Sequence, residues 1–326
     1  MWYDGRAADE GCEMKTMLCA AALLAAALPA RAAEKCALPQ IAALTLKPLG
    51  SGEYTIPVSI GGAERRFVLG LNNPFSAISG PLADQLGYET RRLPPGISPH
   101  LNAETVTRQV RVGELAIGST HAKDFHMLRV DAALTGSGAD GVAGLDLLEN
   151  FDVELDLKAG KLNLFSQAHC QGNVVYWAPS YAEVPFKTDA SGHVSFVMTL
   201  DDRKVTVDLD MREGSSVMGS KTLRRLFDLA PGSPGMVTET QGGTTFWHYP
   251  FKTLAVEGIA IADPHIAILS QDGPECRPEA HWIDGREGRC FGSSDLHLRA
   301  PVLRALHLYF AFKEKMLYVT PADAHL

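Results

Sequence analysis

YTIPVSIGGAERRFVLGLNNPFSAIS, residues 54–79, has a gap-free counterpart 140 positions further on, VSFVMTLDDRKVTVDLDMREGSSVMG, residues 194–219. Each copy reads as a strand of alternating apolar residues, a polar turn (Gly61-Gly62; Asp201-Asp202), a second apolar strand, an irregular loop and a run of small residues. Period-two alternation on both sides of a tight turn is the signature of a hairpin with one buried face. A unit of this length that recurs once implies one supersecondary structure used twice. At the matching point of the loop the first copy has Gly70 and the second Asp210.

A second pair of segments carries the duplication at an offset of 155: residues 147–164, LLENFDVELDLKAGKLNL, and residues 302–319, VLRALHLYFAFKEKMLYV. In both, a short helical stretch leads into alternating apolar positions (Val153, Leu155, Leu157; Leu308, Phe310, Phe312), a charged turn and a closing strand. The chain is therefore predicted to form two similar lobes, residues 37–180 and 181–326. Further strands are predicted at Tyr54–Ile60, Arg66–Leu69, Thr105–Val112, Ala116–Ile117 and His126–Val130, with two short helices. One spans Leu82–Leu86, capped by Ser79 and ended by Gly87; the other spans Leu223–Phe227, capped by Ser220. The fold class is all-β.

Hydrophobic residues make up 46% and charged residues 21% of the 326, ordinary values for a globular chain with a sizeable core. The net charge of -8, without a compensating Lys/Arg run, argues against a nucleic-acid partner. Residues 14–33 have the form of a secretory signal: Lys15, an apolar run from Leu18 to Leu28, and Ala30-Arg31-Ala32 as a cleavage site. Met14 is then the expected initiator and 1–33 the leader region. The apolar run falls short of the ~20 residues that a bilayer span needs, so no permanent membrane anchor is expected. The expected destination is the periplasm or the exterior.

Beyond the leader stand Cys36, Cys170, Cys276 and Cys290. An even number in an exported chain points to disulfides rather than a metal site or a nucleophile. Of three possible pairings the favoured one is Cys36–Cys170, clamping the ends of lobe one, with Cys276–Cys290 closing a loop in lobe two. No metal and no cofactor is expected.

The order strand, turn, strand, loop, Ser-x-Ile-Ser, short helix, followed later by DGVAGLDLL (residues 140–148), resembles the retropepsin and pepsin-like aspartic peptidases, and most of all bacterial exported members with two lobes in one chain. The resemblance covers most of residues 40–326. It implies a bilobal aspartic-peptidase-like fold of two β-barrel-like lobes, with Asp-Thr-Gly in the loop after the second strand and an apolar-apolar-Gly segment (Val142-Ala143-Gly144) threading behind it. The site departs from that pattern. Gly70-Leu71-Asn72 and Asp210-Met211-Arg212 stand where the two signatures would be, and Asp210 alone of the six positions matches. In the second lobe Arg299 stands opposite Gly144.

Hydrolysis in that family needs two carboxylates sharing a proton, one polarising the carbonyl and the other activating water. Gly70 can play neither part. Leu71 and Met211 offer no hydroxyl to brace the loops and are expected to pack as apolar contacts, while Arg212 is placed to pair with Asp210 or Glu213. The resemblance thus implies an exported protein whose peptidase activity is lost or strongly reduced, with Gly70 and Asp210 facing each other across a cleft that binds an extended peptide by strand addition. Asp210 is the candidate catalytic residue. One rival is an active endopeptidase that pairs Asp210 with another acid, Asp208 or Glu213. The other is a structural or assembly protein without a peptide cleft.

Three further motifs read as structure. Ser215 and Ser216 miss the G-x-S-x-G elbow and read as loop serines. Gly136 to Gly141 matches G-x-G-x-x-G but lacks the strand and long helix of a dinucleotide site. Residues 281–284, HWID, read as a partly buried Trp beneath the second disulfide loop.

Overall fold

The computed structural model describes residues 36–96, 99–101, 104–131, 134, 138–188, 193–241, 244–269 and 294–324. The expected leader, the expected Cys276–Cys290 pairing and residues 281–284 lie outside them. Among the described residues no helix is long and apolar enough to cross a membrane.

Strands dominate, and their alternation decides which side chains enter the core. In Tyr54–Ile60, Ile56, Val58 and Ile60 are buried to 1% exposure or less. In Arg203–Leu209, Val205, Val207 and Leu209 play the same part. Burying such a side chain is worth about 1.5–3 kcal/mol, so each three-residue set fixes its strand's facing and register. The turns are those the sequence indicates: Gly61 and Gly62 at φ +61° and +76°, Asp201 and Asp202 at +42° and +67°. Both central residues of each turn are left-handed, which matches the twist of a two-residue hairpin and favours Gly and Asp.

The two copies fold alike. In the first half Gly141–Ala143 is inserted between Ala63–Leu69, to which it runs parallel, and Ala77–Ser79, antiparallel. In the second half Leu296–Leu298 takes the same place between Arg203–Leu209 and Ser216–Gly219. These strands belong to an eight-stranded sheet formed before residue 181 and a ten-stranded sheet formed after it. A third sheet is shared. Its order is Gln40–Thr45, Lys161–Phe165, Asp152–Asp156, Leu306–Ala311, Met316–Pro321, Ala182–Pro185, three strands from each half. The halves meet in an antiparallel ladder from Val153↔Phe310 to Asp156↔His307. One continuous hydrophobic cluster runs through both halves. This is the all-β, bilobal architecture that the duplication implied.

Details differ from expectation. Of the segment read as Thr105–Val112, Thr105 belongs to the short strand Glu104–Thr105, and the part from Arg108 joins Ala116–Ile117 in one strand, Arg108–Ile117, because Gly113 stays extended and the ladder to Thr120–Val130 keeps register past it. Ser79 caps the first helix, Gly80–Gln85, as expected, with Gly87 at φ +68° beyond its end. Ser220 is the first residue of its helix, Ser220–Phe227, rather than its cap; Gly219 is the cap and Asp228, at φ 55°, closes it. After Gly141 comes a four-residue helix, Leu145–Leu148, and then strand, so the glycine run opens no dinucleotide-binding helix. The Cys36–Cys170 disulfide is present.

Candidate functional site

Two loops follow the second strand of each hairpin, and their backbones are held identically. The Gly70 N–H donates to Ala143 O at 2.9 Å, and the Asp210 N–H donates to Leu298 O at 2.7 Å. One turn further on, Ser76 Oγ accepts the Gly144 N–H at 2.9 Å and Ser216 Oγ accepts the Arg299 N–H at 3.1 Å. Ser216 is therefore a buried brace. Its counterpart Ser76 is also bound by the Asp146 carboxylate at 2.6 Å, and that carboxylate accepts the Ser76 N–H as well. Burial pushes the Asp146 carboxyl up, against the pull of these donors.

The side chains on this frame have diverged completely at four matched positions. In the first half Val68 pairs with Val142. In the second the same two places hold Asp208 and His297. Gly70 and Gly144 likewise become Asp210 and Arg299. Val68 and Val142 sit in an apolar cluster with Leu101, Val106, Leu128 and Leu134. Asp208 is buried, with 3% of its side chain exposed, and its Oδ1 lies 2.6 Å from His297 Nδ1. Burial opposes the charge on His297, but the Asp208 hydrogen bond and charge, with Asp210 beyond, hold its pKa above the ordinary value. Exchanging a buried ion pair for apolar groups is often neutral or stabilising by about 1–4 kcal/mol. The first half shows that the frame accepts the apolar version, so stability alone does not account for the pair.

Asp210 is 12% exposed and fully engaged. Its Oδ1 accepts the Arg212 Nε–H at 2.8 Å and the Arg212 backbone N–H at 3.2 Å. Its Oδ2 accepts Arg212 Nη2 at 2.7 Å and Arg299 Nε at 2.9 Å. A carboxylate has about four lone-pair sites, and all are taken by donors. Burial pushes its carboxyl up, yet the Arg212 hydrogen bonds and charge, with Arg299, outweigh it and hold the group below its ordinary range.

Neither acid considered as a partner for Asp210 is bonded to it. Asp208 is held by His297. Glu213 accepts Tyr54 Oη at 2.6 Å and both terminal nitrogens of Arg304 at 2.8–3.0 Å, and its N–H donates to Gly52 O. The place of the missing acid is closed. A Cβ built on Gly70 would lie 2.8 Å from Val142 Cγ1 and 2.9 Å from Ala143 O, closer than side chains tolerate. Leu71 and Met211 are buried at 2% and 6% exposure, inside the cluster common to both halves. Asn72 Oδ1 is buried without a partner among the described residues. With no hydroxyls at Leu71 and Met211, bracing between the halves passes through Glu213, Tyr54 and Gly52 instead.

Sequence reasoning missed the Asp208–His297 pair, the Arg299–Asp210 contact and the serine braces. The signal was present: at offsets of 140 and 155, two valines change together into an acid and a base.

The aspartyl protease family model matches residues 56–147, the hairpin, loop and threading strand of the first half. Among solved structures, the crystal structure of basic 7S globulin from soybean aligns with a TM-score of 0.50 and 10% identity, over 88% of this chain and 99% of that one. That neighbour has the pepsin-like fold. No curated protein matches. The first half is thus similar to the aspartyl protease model, and the chain as a whole shares the fold of that neighbour.

Proposed function

We propose that this protein is an exported, non-hydrolytic relative of the aspartic peptidases that recognises extended peptide without cutting it. The observation that carries the reading is the state of Asp210, whose acceptor sites are filled by Arg212 and Arg299. A carboxylate so bound cannot take a proton from water, and its depressed pKa removes the protonated form that a shared-proton dyad needs. The closed space at Gly70 supports the same conclusion from the other half.

Peptide recognition is supported by the frame that both halves keep: the paired loops, the threading strands and the sheet joining the halves. Purified mature protein is expected to release no fragments from an unstructured peptide between about pH 3 and pH 6, where carboxylate dyads titrate, yet to bind that peptide in a fluorescence polarisation titration. Cleavage that disappears in Asp210→Asn would overturn the non-hydrolytic reading. Absence of binding would favour an assembly role.

A further inference from the structure

Charge and donors are both in excess around Asp210. Two guanidinium groups converge on the one carboxylate of Asp210, while the neighbouring Glu213 is paired with Arg304 and Asp208 with the His297 ring. Glu53 acts on Arg212 only through its longer-range charge. Among the described residues, both terminal nitrogens of Arg299 and Nη1 of Arg212 have no protein acceptor, while these side chains are 24% and 53% exposed. His297 adds a third donor when its ring is charged: Nδ1 is committed to Asp208, and protonation of the half-exposed ring puts a second N–H on Nε2. The matched face of the first half, Val68, Gly70, Val142 and Gly144, offers none of these groups.

We propose that the face formed by Arg212, His297 and Arg299 is a carboxylate-binding site, with Asp210 and Asp208 orienting the donors. Planar guanidinium forks fit a planar carboxylate, and partly desolvated charged donors hold it more firmly than neutral ones. The ligand chemistry is a carboxylate on a peptide, either its C-terminus or an acidic side chain. The inference rests on the non-hydrolytic reading, since a carboxylate ligand would occupy the space where a catalytic water would have to sit, and it gives that reading a ligand class.

The test uses the mature protein and small probes, followed by calorimetry and by the Arg Nε–H and His ring resonances. N-acetyl-leucine carries only a terminal carboxylate, N-acetyl-glutamic acid α-amide only a side-chain one, and N-acetyl-leucine amide neither. One or both acids are expected to bind on the order of tenfold more tightly than the amide and to shift the Arg299 and His297 signals, and the stronger acid identifies the source. Arg299→Leu is expected to lose that preference and Arg299→Lys to keep part of it. Should Arg299→Leu fail to fold, Asp210→Asn decides, because removing the competing negative charge is expected to tighten acid binding several-fold. Equal binding of acids and amide, unchanged or weaker acid binding in Asp210→Asn, or a preference for inorganic phosphate over both acids would overturn the proposal. Peptide cleavage lost in Asp210→Asn would instead end the non-hydrolytic reading, whatever the probes do.

Discussion

Restoring the missing acid by Gly70→Asp tests how far the first-half site has closed. The added Cβ meets Val142 Cγ1 at 2.8 Å and the Ala143 carbonyl at 2.9 Å, and the latter belongs to the threading strand that anchors the loop. Overpacking of this kind costs about 1–3 kcal/mol, so Gly70→Asp is expected to lower the unfolding free energy by that amount and to restore no hydrolysis. Chemical denaturation beside a peptide assay checks both halves of the statement. At this scale the sequence was legible where it differed from a known pattern: Gly70, Leu71, Asn72, Met211 and Arg212 were singled out because a signature was missing. What could not be read was which carboxylate each arginine would choose. Arg212 takes Asp210 two residues away, whereas Arg299 reaches it across 89 positions and Arg304 reaches Glu213 across 91. Such pairings depend on strand register and on side-chain reach, which alternation alone does not specify.

Among the elements, the hairpins and threading strands were readable because their apolar positions alternate and their turns are Gly-Gly and Asp-Asp. The internal repeat also supplied a second reading of every boundary. The polar braces were not legible, since a buried Ser in a small-residue run looks like any loop serine. Ser76 is the more heavily used of the two. Ser76→Ala removes the acceptor for the Gly144 N–H and the hydroxyl donor to Asp146, a carboxylate already pushed up by burial. Leaving such groups unpaired costs about 1–3 kcal/mol, so a loss of unfolding free energy in that range is expected, with faster amide exchange at Gly144. Ser216→Ala is expected to cost less, because Arg299 N–H is the donor it leaves and Arg299 sits nearer solvent.

Over the whole molecule, the segment between Phe165 and Ala182 lies across the outer face of the shared sheet without forming a strand. His169 Nε2 meets Asp152, the Trp177 ring stacks on His307 at 4.1 Å, and Tyr176 Oη donates to Glu154 at 2.7 Å. Burial works against a charge on His169, but Asp152, the Cys170 carbonyl and Glu314 together hold its pKa above 6.5. A raised histidine stabilises the fold fully below its unfolded pKa and loses that contribution as pH climbs through the folded value. The melting temperature is therefore expected to fall as pH rises from about 6.5, and His169→Gln to flatten that slope. Reduction of Cys36–Cys170, which spans 134 positions, is expected to cost about 2–5 kcal/mol in the same melting experiment. None of this layer was foreseen beyond the disulfide, because its carboxylates and histidines are far apart in the chain. The ladder from Val153↔Phe310 to Asp156↔His307 also changes what a cut in this strap would do. A protease that nicked the crossing segment beyond Cys170 would cut the backbone between the halves, yet the pieces would stay zipped along one hydrogen-bonded seam and migrate together until denatured.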